Sequence, residues 1–415
     1  MTRCRYLLCA FLVAFSLFRF TEAQTRPIAA PGAAPSALGP SGFEGDGYVY
    51  VAGQSARRPD GSIPDKFSDQ VRQSLDNVKS VVQAAGLTID HIVYVQVYLR
   101  DVSHYPELNE VFANYFPKSP PARAVLGVAR NPDESPMQVT AVAVRDLTGK
   151  QTISLSEIPA NKIFSPGVLT HDRLFISTMS GIDPATGKVP PSPAEQVDAA
   201  LDRLTSVLKA AGLTRANMVF VNPYLTSQIP MRIMNEHYAR RFEFGNTPAR
   251  ATIEVSALPE GAHIAYTGVA IRDLTRRRAV RPKNMPPSPT ASPCVFAGDT
   301  LYCSAKSGFI PGPNGGVYMA ETANQTRQTM RNLLDNLEEA DMNFDQVVST
   351  TIYLDDLAES RAYHDVYRKY FKSLLPAETT LQQLPPGDRK VNADGQYPDL
   401  EQMSLIAVRT PSTAH

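Results

Sequence analysis

The chain of 415 residues is 43% hydrophobic and 20% charged, an ordinary globular composition that excludes a largely disordered protein. Its 41 basic and 41 acidic side chains give a formal net charge of zero. Proteins that bind nucleic acid through bulk electrostatics carry a basic excess, so the composition argues against that class. A chain of this length exceeds one hydrophobic core and indicates roughly two to four domains.

The first residues are typical of an export signal. Arg3 and Arg5 give a positive start, an apolar run follows at 6–18, and the Thr-Glu-Ala triplet at 21–23 offers small residues where a signal peptidase cuts. The apolar run is shorter than the roughly 20 residues that span a bilayer, which argues against a transmembrane anchor. We therefore predict a signal peptide at 1–23 and an exported protein, periplasmic or secreted, that is free of the membrane after cleavage.

Residues 24–148 then show an alternation of helical and β-rich segments. Apolar side chains recur at helical spacing in the first of them, and Gly86 stands where such a helix ends. The segments are, in order, a helix over 70–85, a β-rich run ending in Tyr98-Leu99, a short helix over 105–116, the motif Pro121-Ala122-Arg123 and a β-rich run over 139–145.

The same series of segments returns at residues 149–276. Ser192 and Glu195 form a capping-box pattern at the start of its long helix, and Gly212 follows the helix end. The segments are a helix over 193–211, a run ending in Tyr224-Leu225, a short helix over 230–242, the motif Pro248-Ala249-Arg250 and a run over 266–272.

A third series occupies residues 277–415. The arginines at 276–278, beside Pro282, predict a solvated linker in front of it. Its segments are a helix over 320–340, a run ending in Tyr353-Leu354, a short helix over 359–371, the motif Pro376-Ala377-Glu378 and a run over 404–409.

The two cysteines that follow the predicted signal peptide flank a hairpin pattern in this third series. If Gly298-Asp299 is a type II′ turn, Cys294 and Cys303 face each other at a non-hydrogen-bonded pair, where Cα atoms approach most closely. Two alternatives stay open at this point: a cross-strand disulfide, which an exported protein would retain, or two small buried residues.

The three series repeat with a constant period. Arg123 and Arg250 are 127 residues apart, and Arg250 and Glu378 are 128 residues apart. Repetition of this kind indicates tandem copies of one unit. The order of segments in each unit predicts an α+β domain, a mixed sheet with two helices packed on one face.

The repeated motifs resemble those of the RidA/YjgF family, once called the L-PSP endoribonuclease family. The resemblance rests on the segment at 72–79, on Ala-Ala-Gly-Leu at 84–87, on Pro-Ala-Arg at 121–123 and on the run at 141–145. It implies a chorismate-mutase-like fold in each unit. Members are usually homotrimers with clefts between subunits, so it also implies an intramolecular pseudo-trimer that is a monomer in solution.

The resemblance implies an activity and the residues that would carry it. The family enzyme hydrolyses 2-imino and enamine acids to keto acids and ammonia, and the arginine of its Pro-Ala-Arg motif pairs with the substrate carboxylate. Arg123 and Arg250 retain this arginine, and Asn109 and Asn235 retain the family asparagine. The third unit has Glu378 and His364 at these positions instead.

The glutamate that handles the proton in the family is absent from all three units. Its position falls on Gln138, Ala265 and Gln402, and a glutamine can hold a water but cannot accept its proton. The best candidate for a working site is therefore the group of Asn109, Arg123 and Gln138, in which Gln138 takes the position of the catalytic glutamate. The cleft around Arg250 is the next candidate.

The remaining positions implied by the resemblance are a tyrosine, a serine-glycine turn and a cysteine two residues after the arginine. The tyrosine position falls near Ser41, Gly167 and Cys294, and the turn is expected at Ala52-Gly53, Ser177 and Ser307-Gly308. The cysteine position falls on Val125, Thr252 and Thr380.

Two functions stay open on this sequence. One is a hydrolytic deaminase of small imino or enamine acids, and the other is a degenerate relative that binds a small carboxylate or acts as a scaffold. The histidines show neither zinc spacing nor cysteine partners, and no glycine-rich phosphate loop follows a strand. We expect no metal and no cofactor.

Overall fold

The computed structural model describes residues 25–32, 39–116, 118–158, 162–312, 315–393 and 395–410. The predicted signal peptide at 1–23 lies outside these ranges. Within them, none of the helices is both long enough and apolar enough to cross a bilayer.

The described residues of domain 1 form six strands and two α-helices. They are β1 (Arg26–Ile28), β2 (Gly42–Gly45), β3 (Tyr48–Ser55), α1 (Phe67–Ala84), β4 (Ile92–Leu99), α2 (Tyr105–Tyr115), β5 (Ala122–Gly127) and β6 (Met137–Val144).

Domain 2 repeats this order, but its parallel edge strand is divided in two. Its elements are β7 (Gln151–Ile153), β8 (Gly167–Leu169), β9 (Arg173–Ser180), α3 (Pro193–Ala210), β10 (Met218–Leu225), α4 (Met231–Ala239), β11 (Ala249–Arg250), β12 (Ile253–Glu254) and β13 (Ile264–Ile271).

Domain 3 returns to the order of domain 1. Its elements are β14 (Arg277–Val280), β15 (Cys294–Ala297), β16 (Thr300–Ser307), α5 (Thr322–Glu339), β17 (Val347–Leu354), α6 (Ser360–Tyr367), β18 (Ala377–Gln382) and β19 (Glu401–Val408).

The three sheets share one topology. In domain 1 the strand order is β1-β2-β3-β6-β4-β5, and the corresponding order is found in domains 2 and 3. Only the pair of β4 and β5 is parallel, because helix α2 connects these two strands. The other neighbouring strands of the sheet are antiparallel. Both helices cover one face of the sheet and bury a core of aliphatic side chains from helix and strand. The predicted α+β fold is confirmed.

The helix ends follow from local chemistry. Ser192 and Glu195 form the predicted capping box at the start of α3. Gly86 and Gly212 adopt positive φ angles of 78° and 72° directly after α1 and α3, which a glycine does without steric cost. In domain 3 the left-handed residue after α5 is Asp341, with a φ of 58°.

The predicted linker at 276–278 is wrong. Arg277 and Arg278 belong to β14, which pairs with β15 and so extends the sheet of domain 3. Arg277 donates from Nε to the carbonyl oxygen of Met218 at 2.9 Å, and the Arg278 guanidinium stacks on Phe296. Arg277 thus contacts domain 2 and Arg278 contacts the neighbouring strand of its own sheet, so a charged run does not imply a free connector.

Cys294 and Cys303 form a disulfide across the hairpin of domain 3. The two residues are register partners on β15 and β16, and their Cα atoms are 4.0 Å apart. The turn has positive φ at Gly298 and not at Asp299, which is the pattern expected of a type II′ turn. Of the two alternatives that the sequence left open, the structure therefore contains the disulfide.

The sheet face opposite the helices packs against the other two domains. Strand β5 lies against β9, β11 lies against β16, and β18 lies against β3, so each domain contacts both of the others. Residues from all three sheets form common apolar clusters, one of which contains Tyr98, Tyr224 and Tyr353. These tyrosines are the ones in the repeated Tyr-Leu pairs, and they line a central cavity of about 110 Å³.

One fully buried arginine joins the three domains at this shared face. Arg173 of domain 2 pairs with Asp46 of domain 1 and donates to Thr300 Oγ1 of domain 3 at 2.9 Å. Its guanidinium lies over the ring of Tyr48 of domain 1, with Cζ 4.3 Å from the centroid. Because Tyr48, Arg173 and Thr300 each begin the same strand of their domain, the contact brings together three equivalent positions.

Replacement of Arg173 is expected to destabilise the whole chain. Arg173→Met leaves the carboxylates of Asp46 and Asp172 without their buried cation, and breaking a buried pair costs about 3–5 kcal/mol. Chemical denaturation measures the change in the free energy of unfolding. The control is Arg272→Met, which removes an exposed arginine of the same domain and should cost less than about 1 kcal/mol. Equal losses in the two variants would contradict the role given to Arg173.

Domain 3 also buries a carboxyl group that should make its stability depend on pH. Burial raises the pKa of Glu401 from an ordinary 4.5 to about 8, and its Oε1 accepts the hydroxyl hydrogen of Thr329. The folded chain therefore keeps a proton that the unfolded chain loses, so the free energy of unfolding falls as pH rises from about 4.5 to 8.

Glu401→Gln removes this titration while retaining an acceptor for Thr329. We expect the variant to gain at least about 2 kcal/mol over wild type between pH 5 and pH 8, measured by denaturation at both pH values. Glu338→Gln, on the exposed side of α5, is the control and should show no such gain. A difference between Glu401→Gln and wild type that does not change with pH would refute the assignment.

Candidate functional site

The Pro-Ala-Arg motif of domain 1 lies at the boundary with domain 2. The backbone nitrogen of Arg123 on β5 donates to Ser177 Oγ of β9 at 2.7 Å, and Ser177 Oγ donates to the carbonyl oxygen of Ser165 at 2.6 Å. This serine fastens the edge strand of one domain to the sheet of the next. The side chain of Arg123 therefore enters a cleft between domains 1 and 2, called the first cleft below.

One end of the Arg123 guanidinium is held in place and the other is free. Its Nη2 donates to Asn109 Oδ1 at 2.7 Å and to Tyr105 Oη at 3.3 Å, both from α2. Nη1 is buried and has no hydrogen-bond partner. The group also lies 4.7 Å from the centroid of the Phe112 ring. Helix α2 thus orients the fork and leaves one donor edge for a ligand.

Arg123 also lacks an ion-pair partner among the described residues. The residue is 4% exposed, and burial lowers the pKa of its guanidinium. No carboxylate in the described ranges forms an ion pair with it. A buried cation without a counter-ion is costly, whereas a ligand carboxylate would supply both the charge and the missing hydrogen bonds. The arrangement is suited to binding a small carboxylate.

The first cleft has a volume of about 370 Å³ and takes its opposite wall from domain 2. That wall includes Ala265, Thr178, Arg203 and Glu260. The hydroxyl oxygen of Thr178 is buried without a partner, as is Nε of Arg203. The wall thus offers further polar atoms to a bound ligand.

Arg250 lies at the boundary between domains 2 and 3, which we call the second cleft. The backbone nitrogen of Arg250 donates to Ser304 Oγ at 2.8 Å, as Arg123 does to Ser177. Its Nη1 donates to Asn235 Oδ1 at 2.7 Å, and its guanidinium lies 5.1 Å from the Tyr238 ring centroid. Burial lowers its pKa too. Arg250 is more exposed than Arg123, so less is gained when a ligand covers it.

The third boundary, between domains 3 and 1, has the opposite charge. Glu378 on β18 occupies the arginine position and accepts from His364 Nε2 at 2.8 Å and from Thr380 Oγ1 at 2.6 Å. His364 on α6 stands where α2 and α4 carry Asn109 and Asn235. We call this boundary the third cleft.

Comparison with known proteins agrees with this architecture. A family model described as Endoribonuclease L-PSP matches the chain three times, at residues 33–145, 154–271 and 284–387. The chain belongs to this family. The predicted resemblance is thereby confirmed for all three units.

Curated relatives in the L-PSP family correspond to one unit each. The chain is 36% identical over 118 residues to the 2-iminobutanoate/2-iminopropanoate deaminase of Escherichia coli, a match that covers 27% of this chain and 92% of that protein. It is 32% identical over 117 residues to a RutC family protein of Pyrococcus horikoshii, covering 27% of this chain and 93% of that protein.

The structure changes which residues make up the predicted site. Asn109 and Arg123 do lie together, but Gln138 does not line the first cleft. The residue at its position there is Ala265 of domain 2, because Gln138 pairs with Tyr98 on β4 as Ala265 pairs with Tyr224 on β10. The first cleft combines the arginine of domain 1 with the closing strand of domain 2, so Arg123 and the closing-strand residue of its own unit, Gln138, do not share this cleft.

The strand registers also move two of the predicted hairpin positions, the tyrosine position and the serine-glycine turn, to other residues. Gly42, rather than Ser41, is the register equivalent of Gly167 and Cys294, so none of the three units has a tyrosine there. Ser304, rather than Ser307, is the equivalent of Ser177. Ser177 follows Ile176 and Ser304 follows Cys303, and in each strand the β-bulge begins after that preceding residue. The two serines make the same contacts to the preceding domain.

The residues of the first cleft that were missed in the sequence include Tyr105, Thr178, Arg203 and Glu260. Arg203 replaces an asparagine found at the equivalent helix position in the other units, Asn77 and Asn332, all three of which donate to hairpin carbonyl oxygens. Comparison of the repeats would have exposed this change of charge. Nothing in the sequence indicated that Glu260, in a turn of domain 2, faces Arg123.

The unpaired guanidinium leads to a binding prediction. Arg123→Ala should weaken the binding of pyruvate about 10- to 100-fold, since charge-assisted hydrogen bonds contribute about 1.5–3 kcal/mol. Isothermal titration calorimetry measures the dissociation constant. The matched control is Arg250→Ala, which removes the same motif from the second cleft and should leave the Arg123-dependent affinity intact. Pyruvate affinity that survives in Arg123→Ala would contradict the assignment.

Proposed function

We propose that the chain is a hydrolytic deaminase of small 2-imino acids and that the reaction takes place in the first cleft. The observation that carries the proposal is the buried, unpaired Nη1 of Arg123, held ready by Asn109 and Tyr105. A 2-imino acid has the carboxylate that this group lacks. The E. coli relative, by its name, deaminates 2-iminobutanoate and 2-iminopropanoate.

The first cleft also contains a carboxylate for proton transfer. The family glutamate is replaced by Ala265, but Glu260 lines the same wall and interacts electrostatically with Arg123. Glu157 lines the cleft as well, and its charge acts on Arg203, as the charge of Glu260 also does, but not on Arg123. We assign the proton transfers to Glu260 for this reason.

In the proposed reaction a water oxygen bonds to the imine carbon while Glu260 takes a proton from the water. Glu260 returns that proton to the imine nitrogen as the π bond between carbon and nitrogen breaks, which gives a carbinolamine. Glu260 then transfers the hydroxyl proton to nitrogen, and the C–N bond breaks as the carbonyl group forms. The products are ammonia and the 2-keto acid, whose carboxylate stays on Arg123 until release.

We further propose that the chain works as an exported monomer in which the three domains replace the subunits of a trimer. The cyclic contacts of β5 with β9, β11 with β16 and β18 with β3 support the internal assembly. The Cys294–Cys303 disulfide supports export, since such bonds persist in oxidising compartments.

A second function, binding of a small carboxylate without turnover, is favoured by one observation. Ala265 offers no group to activate water at the position where the family has its glutamate. In this alternative, the polar atoms of Thr178 and Arg203 fix the ligand, and Glu260 has no chemical role.

The test generates 2-iminopropanoate in the assay from alanine and an amino-acid oxidase, with catalase present, and follows the formation of pyruvate. We expect the mature protein to accelerate hydrolysis over the spontaneous rate. Glu260→Gln should lower the rate about 100-fold or more, which is the usual contribution of a general base, and should not weaken pyruvate binding, because it removes a negative charge that acts on Arg123. Glu157→Gln is the matched control and should retain the rate.

The outcomes separate the two functions. Wild type that binds pyruvate through Arg123 but does not accelerate hydrolysis would refute the deaminase and leave the binding function. A rate that is unaffected by Glu260→Gln would refute the role of Glu260.

A further inference from the structure

The third cleft repeats the design of the first with the polarity reversed. In the first cleft, Asn109 of the second helix holds one end of the Arg123 fork and leaves Nη1 buried without a partner. In the third, His364 of the second helix and Thr380 hold Oε1 of Glu378, and Oε2 is buried without a partner. A buried donor has been replaced by a buried acceptor at the same place in the fold.

The burial of this acceptor is substantial. The side chains of Glu378 and His364 are each 10% exposed. Apart from His364, no basic residue in the described ranges forms an ion pair with Glu378. Leaving a buried acceptor without a donor costs about 1–3 kcal/mol, and more for a charged group. A ligand with N–H donors and a positive charge would relieve this cost.

The opposite wall comes from domain 1 and offers a second acceptor. Strand β18 lies against β3, as β5 lies against β9 in the first cleft. The place that Ala265 takes in the first cleft therefore falls to Gln138, which is 5% exposed and whose Oε1 is buried without a partner. Its side chain extends over Gly53, where a Cβ atom would come within 2.5 Å of Gln138 Nε2. The glycine thus makes room for the glutamine.

We propose that the third cleft is a binding site for a small primary ammonium compound. The ammonium group is compact, positively charged and carries three donors, so it can satisfy Glu378 Oε2 and Gln138 Oε1 together. A carboxylate is excluded because Glu378 would repel it. The site is separate from the first cleft and does not depend on deaminase activity there.

The experiment uses ethylammonium chloride as the probe and saturation-transfer NMR as the measurement. We expect signal transfer from wild type to ethylammonium. Glu378→Gln should reduce the affinity at least tenfold, because it removes the charge and retains the shape, and Gln138→Leu should reduce it by a smaller factor. Arg123→Ala is the matched control and should leave ethylammonium binding unchanged while it weakens pyruvate binding.

Tetramethylammonium chloride distinguishes a specific site from general attraction of cations, since it has the charge without N–H donors. The proposal is overturned if wild type does not bind ethylammonium, if tetramethylammonium binds equally well, or if Glu378→Gln binds as wild type does. Should Glu378→Gln fail to fold, Gln138→Leu decides the matter, and an unchanged affinity in that variant counts against the site.

Discussion

The arrangement of the three domains depends on the contact of Arg173 with Asp46, Thr300 and Tyr48. The three positions that meet here are equivalent in the three units, yet they carry a tyrosine, an arginine and a threonine. In a trimer of identical subunits the same place would hold three copies of one residue, and three buried arginines would repel one another there. One cation at the shared boundary is available only to domains that differ in sequence. Covalent linkage of three units provides that difference.

The same freedom explains why the clefts are unequal. Each cleft takes its charged residue from one domain and its opposite wall from the next, so a substitution in one unit changes two clefts in different ways. Gln138 shows this most clearly. It belongs to the same unit as Arg123, yet its strand β6 pairs with β3, which lies against β18, the strand of Glu378. An identical trimer cannot separate these effects, whereas a tandem chain can keep one cleft for anions and give another the opposite polarity.

Local chemistry made much of the fold predictable from the sequence. The long helices begin and end close to their predicted bounds because apolar spacing and the glycines at 86 and 212 act within a few residues. The pairs Asn109–Arg123 and Asn235–Arg250 could be predicted because each lies within one unit and is brought together by neighbouring elements.

The remainder of the site depends on how the domains pack, which no local pattern encodes. Gln138 was predicted to share a site with Arg123 because both residues belong to domain 1. The first cleft is instead formed by domains 1 and 2, and Gln138 does not line it. Arg203 and Glu260 reach the first cleft from domain 2. The hairpin positions were displaced by one to three residues because the bulges after Val51, Ile176 and Cys303 leave no signature that can be counted along the chain. The run at 276–278 was predicted to be a linker because the partner of strand β14, β15, lies beyond a proline-rich segment.

The central claim is that one chain supplies all three walls of the assembly. Sedimentation-velocity ultracentrifugation tests it most directly, because it reports the mass of the particle in solution. We expect a single species with the mass of one chain, at most 45.4 kDa for the full sequence, at every protein concentration. A stable species of three chains would contradict this expectation. Such a trimer needs domain faces that are free to bind another chain, whereas the proposed monomer buries these faces between its own domains.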